Sequence, residues 1–161
     1  MVVIVMGVAG AGKTTVGSLL AGQLGWTFAD ADDFHSPSNV GKIRRRIPLT
    51  DDDRRPWLEH LRAQICEWIA EARNGVLACS ALKRSYRQAL EAGPEVRFVY
   101  LKAGADLIAA RLGSRRGHFA GKQILPSQFA DLEEPENAVI VGIGSNPLQI
   151  VAEIRRKLGL T

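Results

Sequence analysis

The sequence predicts an α/β fold, a mostly parallel sheet with helices on both faces. Short apolar runs of strand length alternate along the chain with longer stretches whose apolar residues recur at helical spacing. A glycine-rich loop also joins the first such run to the first helical stretch. Strands separated by helices pair in parallel, and ligands are then expected at the carboxyl ends of the strands. The 161 residues are one domain's worth, and 46% hydrophobic with 24% charged residues is the balance of an ordinary globular chain.

The elements follow in order. Val2 to Met6 is a continuous apolar run, a buried strand, and Lys13 to Leu24 sets Val16, Leu19, Leu20 and Leu24 on one helical face. Trp26 to Asp30 reads as a second strand. A helix is expected from Pro56, tolerated in a first turn, with Leu58, Leu61, Ile65 and Ile69 inward and Gly75 closing it. Val76 to Cys79 is the third strand, Lys83 to Ala92 a basic helix that Gly93-Pro94 breaks, and Val96 to Leu101 the fourth strand. Ala105 to Leu112 then reads as a helix and Ala138 to Ile143 as the fifth strand. Asn146-Pro147 caps a last helix with Leu148, Val151, Ile154 and Leu158 inward. Two stretches are expected to be irregular: the polar segment from Asp32 to Asp53, and GSRRGHFAGKQ from Gly113 to Gln123. Long loops of this kind are commonly binding loops or lids.

A net charge of +4 and a pI near 9.4 favour anionic partners, without choosing among nucleotides, acidic metabolites, nucleic acid and membrane surfaces. The longest apolar stretch, Met1 to Val8, is too short to span a bilayer and lacks the features of a signal peptide, so no membrane partner and a cytoplasmic location are expected. Cys66 and Cys79 lack metal-site spacing and read as buried thiols.

GVAGAGKT at Gly7 to Thr14 satisfies G-x-x-x-x-G-K-[ST] between a strand and a helix. In that setting backbone N–H groups wrap the phosphates, Lys13 reaches the β- and γ-phosphates, and the Thr14 hydroxyl meets magnesium. Gly10 and Gly12 are expected to keep side chains out of the phosphates' way. The triphosphate contacts are thus Gly7, Ala9, Gly10, Ala11, Gly12, Lys13, Thr14 and Thr15. The loop leaves open whether the γ-phosphoryl goes to water, a protein, a nucleotide or a small alcohol.

Asp30 and Asp32 follow the second strand, and alternate residues of an extended segment share a face. One carboxylate can orient an acceptor hydroxyl and take its proton while the other orders magnesium-bound water. Asp33 points the other way. Arg54, Lys83 and His118 would meet a carboxylate or hydroxyls on the acceptor, the guanidinium fork suiting a planar carboxylate.

DADDFH (Asp30 to His35), IPLTDDDRRPWL (Ile47 to Leu58), CSALKRSYR (Cys79 to Arg87) and RLGSRRGHF (Arg111 to Phe119) occur in that order after the phosphate loop. Together they resemble the small bacterial and eukaryotic gluconokinases, over Met1 to about Pro135. The resemblance implies a P-loop kinase fold with a five-stranded parallel sheet and a mobile lid over about residues 113–125, and a substrate-binding segment over about 32–60. ATP and magnesium are implied, as is D-gluconate phosphorylated on its 6-hydroxyl by a cytoplasmic homodimer of the pentose phosphate route. Carried over, Asp32 holds the acceptor hydroxyl and Asp30 stands near magnesium, through water. Arg54, Lys83, His35 and His118 line the acceptor pocket. Arg111, Arg115 and Arg116 fall where related kinases place lid arginines, with Arg111 and Arg115 on the nucleotide and Arg116 offsetting transition-state charge.

Two departures stand out. Arg44-Arg45-Arg46 falls where small or uncharged residues are expected, and GIGSN at Gly142 to Asn146 is less acidic than the family pattern. Competing readings are a shikimate or other sugar-acid kinase, which also uses paired aspartates and an arginine-bound carboxylate, and a nucleotide-binding regulatory protein. A nucleic-acid kinase would call for a basic track interleaved with stacking aromatics. Trp57 and Trp68 instead fall at helical spacing and read as core.

Overall fold

A computed structural model describes residues 1–114 and 121–161. Five parallel strands, β1 (Val2–Met6), β2 (Thr27–Asp30), β3 (Gly75–Ala78), β4 (Val96–Lys102) and β5 (Val139–Gly142), form one sheet in the order β2-β3-β1-β4-β5. β1 is central, with Ile4 level with Leu77 of β3 and Phe98 of β4. Every residue of β1 is buried, which is why its sequence is an unbroken apolar run instead of an alternating one.

The two-residue period of β1 divides the core. Val3 and Val5 face α1 (Lys13–Leu24), α5 (Ala105–Ser114) and α7 (Pro147–Leu158) through Val16, Leu20, Ile108, Ile150 and Ile154. Val2, Ile4 and Met6 face α3 (Asp51–Ala70) through Trp57, Leu61, Ile65 and Trp68, with Leu90 of α4 (Arg84–Leu90) on the same side. Each such fully buried side chain contributes roughly 1.5–3 kcal/mol by leaving water. β1 and β3 send their onward connections in opposite directions across the sheet, so a crevice opens at their carboxyl ends.

The structure departs from the sequence expectations at several points. α3 starts at Asp51, not Pro56, because Thr50 and Asp53 form a reciprocal cap: Asp53 N donates to Thr50 Oγ1 (3.1 Å) and Thr50 N to Asp53 Oδ2 (2.9 Å). Pro56 therefore lies inside the helix. Gly75 does not close α3, which ends at Ala70; it opens β3 beneath the Trp68 ring, where a Cβ would collide with the indole. The stretch from Asp32 to Asp53 is not irregular. It holds a 3-10 turn (Ala31–Phe34) and α2 (Pro37–Arg44), the latter capped by Ser36 Oγ, which accepts from Asn39 N at 3.1 Å.

A helix absent from the sequence reading, α6 (Gly121–Asp131), follows α5, and Gly113 is still within α5. Only residues 115–120 lie between the two helices. Those six, which include Arg115, Arg116, His118 and the centre of the expected lid, fall outside the described residues. Leu148 is 61% exposed, and Ile150 instead joins Val151 and Ile154 in the core. Cys66 is exposed, whereas Cys79 is buried at the end of β3 and its thiol is pushed up to about 12 by desolvation. Among the described residues no helix is long and apolar enough to cross a membrane.

Candidate active site

The loop after β1 is held in a shape that ordinary residues resist. Gly10 (φ +82°) and Gly12 (φ +93°) are both left-handed, and Gly12 caps α1. The sequence expectation gave these glycines to the phosphates. Their protein surroundings add reasons of their own: a Cβ at Gly12 would come no nearer than 4.0 Å to Val16 Cγ2, so there the left-handed conformation favours glycine, whereas one at Gly10 would lie 2.9 Å from Leu112 Cγ of α5. Lys13 follows as the first residue of α1, its Nζ donating to Val8 O at 3.0 Å across the loop. Burial holds its ammonium below the ordinary lysine range, against the pull of Asp32, Cys79 and Asp30.

Asp30 ends β2 and uses both carboxylate oxygens. Oδ2 accepts from Thr14 Oγ1 at 2.6 Å, and Oδ1 accepts from Asp32 N at 2.9 Å, capping the 3-10 turn. Asp32 therefore reaches the site from a turn, not from the extended strand. Burial pushes its carboxyl up, and the Asp30 charge adds to this against the opposing effect of Lys13. The turn is docked on α3 by Trp57, whose Nε1–H donates to Ala31 O at 2.7 Å and whose ring stacks on His35 at 4.5 Å and 9°.

A second group of cations stands along the same edge. Arg54 and Lys83 each lie 5.5 Å from the centre of the Tyr86 ring. Arg54 Nη1 donates to Leu49 O (2.9 Å) and to Tyr86 OH (3.1 Å). Asp51 Oδ1 accepts from Tyr86 OH (2.5 Å) and from Lys83 Nζ (3.2 Å), bonds that keep its carboxyl below the usual range and hold the Lys83 ammonium up. Arg54 also bears on His35, adding to the effect of burial in lowering the imidazole. Lys13, Asp32, His35, Arg54 and Lys83 thus form one run from the phosphate loop to the α3–α4 edge. Arg111 is not part of it: its Nη2 donates to Ile143 O after β5, on the other side of β1.

The side-by-side oxygens of Thr14 and Asp30 are hard donors. Among the described residues no three His, Cys, Asp or Glu side chains gather into a metal cage. That combination suits magnesium, which takes one or two protein oxygens and completes its shell with phosphates and water.

A sequence profile of the family "Shikimate kinase" matches residues 9–137. The chain is 41% identical to a "Probable gluconokinase" of Mus musculus, covering 98% of this chain and 97% of that one. With the gluconokinase of Gluconobacter oxydans it shares 42% identity over 95% of this chain and 88% of the relative. The chain belongs to the gluconokinase family. Its structure also superposes on a gluconokinase from Sinorhizobium meliloti with a TM-score of 0.86 at 40% identity, over 98% of this chain and 90% of that one. The five-stranded parallel P-loop kinase fold expected from the motifs is therefore the fold of this gluconokinase family member.

Several residues that build this gluconokinase-type site were not singled out from the sequence. Asp51 and Tyr86 organise the two cations. Asn39 holds His35, and Gln128 of α6 accepts from Ala9 N at 3.1 Å, tying the phosphate loop to that helix. Arg87 is largely buried and donates to Ala81 O, Leu82 O and Glu133 O, clamping the loop that carries Lys83. The cap in LTDDD was the available signal for Asp51. The partners of Gln128 and Arg87 lie far away in sequence, and no local pattern announces them.

Proposed function

We propose that this chain transfers the γ-phosphoryl group of ATP to the 6-hydroxyl of D-gluconate, giving 6-phosphogluconate and ADP. The observation that carries this reading is that Asp32 stands within range of Lys13, while Arg54, within range of His35 at the end of the same turn, shares the Tyr86 ring with Lys83. A triphosphate on the loop at one end and a carboxylate held by two cations at the other would leave the acceptor hydroxyl beside Asp32. About 40% identity to proteins named gluconokinase, over most of the chain, supports the same substrate.

In this reading O6 attacks the γ-phosphorus in line. The new O–P bond forms as the bond to the β–γ bridging oxygen breaks, ADP leaves with that electron pair, and the O6 proton passes to the Asp32 carboxylate. Lys13 follows the charge on the transferred group. Magnesium, held by Thr14 and through water by Asp30, would neutralise charge on the phosphate oxygens. Arg54 and Lys83 would hold the substrate carboxylate and His35 a hydroxyl. Arg116 is proposed as a further cation on the transferred group, Arg111 and Arg115 as nucleotide contacts, and His118 as an acceptor contact. We also propose a lid over about 113–125, a cytoplasmic location and a homodimer, the last to be checked by light scattering of the purified protein.

A coupled ADP-release assay with ATP, magnesium and separate gluconate, shikimate, glycerate and AMP tests the substrate. Turnover is expected with gluconate. Turnover with another acceptor and none with gluconate above the ATP-only rate would overturn the assignment.

A further inference from the structure

We propose that Asn39 is a positioning residue that locks His35 in the neutral Nε2–H tautomer, making His35 a pure hydrogen-bond donor to the acceptor. Asn39 is 4% exposed, and its Nδ2 lies 2.8 Å from Asp53 O and 3.3 Å from His35 Nδ1. A backbone carbonyl only accepts, so the Asn39 atom facing Asp53 O must be the NH2 group, and this fixes which way round the amide sits.

That NH2 group has two hydrogens and no lone pair to offer. One hydrogen goes to Asp53 O, which leaves the other for His35 Nδ1. A proton on Nδ1 would set two donors against each other in a buried space, so Nδ1 carries its lone pair and the neutral ring carries its proton on Nε2. The stack on Trp57 fixes the plane of the ring. The Asn39 bond then decides which edge faces inward, and Nε2 takes the other edge, where it has no partner among the described residues.

The charges around the ring agree with a neutral imidazole. Burial and Arg54 of α3 both lower its affinity for a second proton. Asp53, whose carbonyl anchors Asn39, directs its carboxylate to Lys42 of α2 and to Thr50 N instead of to the ring. Asp32 and Asp33 belong to the turn that His35 ends, Asp32 lying within range of Lys13. An Nε2–H donor can meet only an oxygen lone pair, so His35 orients a hydroxyl or carboxylate oxygen without adding charge. Arg54 and Lys83 supply the charge. The identity of that oxygen as gluconate's rests on the function proposed above; the tautomer does not.

The test is a long-range 1H–15N correlation spectrum of the full-length enzyme labelled on its histidines, at neutral pH, with and without gluconate. His35→Gln identifies the His35 signals by their loss. The expected pattern is Nε2–H with an unprotonated Nδ1, already present without gluconate. In Asn39→Asp a carboxylate can accept from Nδ1–H, so the pattern should switch and the KM for gluconate should rise about tenfold, with a smaller change in kcat. A wild-type ring protonated on Nδ1, or an Asn39→Asp enzyme with both pattern and KM unchanged, would overturn the proposal. If Asn39→Asp does not fold, the wild-type spectrum alone decides. An Nε2–H pattern in an enzyme that ignores gluconate would sink only the substrate reading, and the reverse result only the positioning role.

Discussion

Asp32 is held in conditions that favour its proton, yet the chemistry proposed for it needs the ionised form. Desolvation and the Asp30 charge raise its carboxyl, and Lys13 is the nearby cation that works against them. A carboxyl raised in this way is a better proton acceptor once ionised, and it stops working at a higher pH than an unperturbed aspartate. The acid limb of kcat against pH should therefore lie above the ordinary aspartate value of about 3.9, with activity lost as pH falls through it. Asp32→Asn should lower kcat at least about 100-fold while ATP binding persists, measured by single-turnover kinetics and nucleotide titration. Near-normal kcat in that variant would remove Asp32 from the proton-handling role. The sequence reading found this residue for a reason the structure changes. Two aspartates spaced by one suggested a shared strand face, but Asp30 ends the strand and caps the turn that presents Asp32.

At the scale of elements, the helix that carries Arg54 depends on what precedes it. The three acids of TDDDR lie in the first turn of α3, where the helix dipole favours negative charge, and the Thr50–Asp53 cap fixes the start. Lys42 of α2 adds an ion pair to Asp53 at 2.9 Å, so one carboxylate joins two helices. Hydrogen bonds from Thr50 and Lys42 lower the Asp53 carboxyl to about 2. A depressed carboxyl stabilises the fold above its unfolded value and stops doing so as pH falls through the folded one, here between about 4 and about 2. Urea midpoints should fall across that window in the parent protein and fall less in Asp53→Asn, and an identical fall in both would rule the carboxylate out as a cause. Thr50→Ala should cost about 1 kcal/mol at neutral pH. The same cap marks the limit of the sequence reading. Every strand, and the helices with a long apolar stripe, were legible because their periods are written locally. The short polar α2 and the helix α6 were missed because their stability comes from docking: Asn39 onto Asp53 O, and Gln128 onto the phosphate loop. Tyr86 was missed for a similar reason, since its bond to Asp51 spans two helices.

For the molecule as a whole, the site is assembled from the ends of elements spread along the chain from β1 to α6, and nucleotide binding should therefore be felt globally. Gly7 to Thr14 comes from β1 and α1, Asp30 from β2, and the Ala9 amide is held by α6. A ligand that binds only the folded chain stabilises it by RT ln(1 + [L]/Kd), about 2.7 kcal/mol at a hundredfold excess over Kd. For a chain of this size that corresponds to a rise in Tm of roughly 5–10 °C. The rise should be larger with magnesium than with ATP and a chelator, because Thr14 and Asp30 offer oxygens that ATP alone does not use. Thr14→Ala removes the hydroxyl that Asp30 now holds at 2.6 Å. Its thermal shift with ATP should consequently become nearly independent of magnesium, while Lys13→Ala should lose most of the shift under both conditions. Scanning calorimetry of the three proteins, each with and without magnesium, separates the contributions. A magnesium-dependent shift that survives intact in Thr14→Ala would place the metal on other residues and detach the Thr14–Asp30 pair from the proposed chemistry.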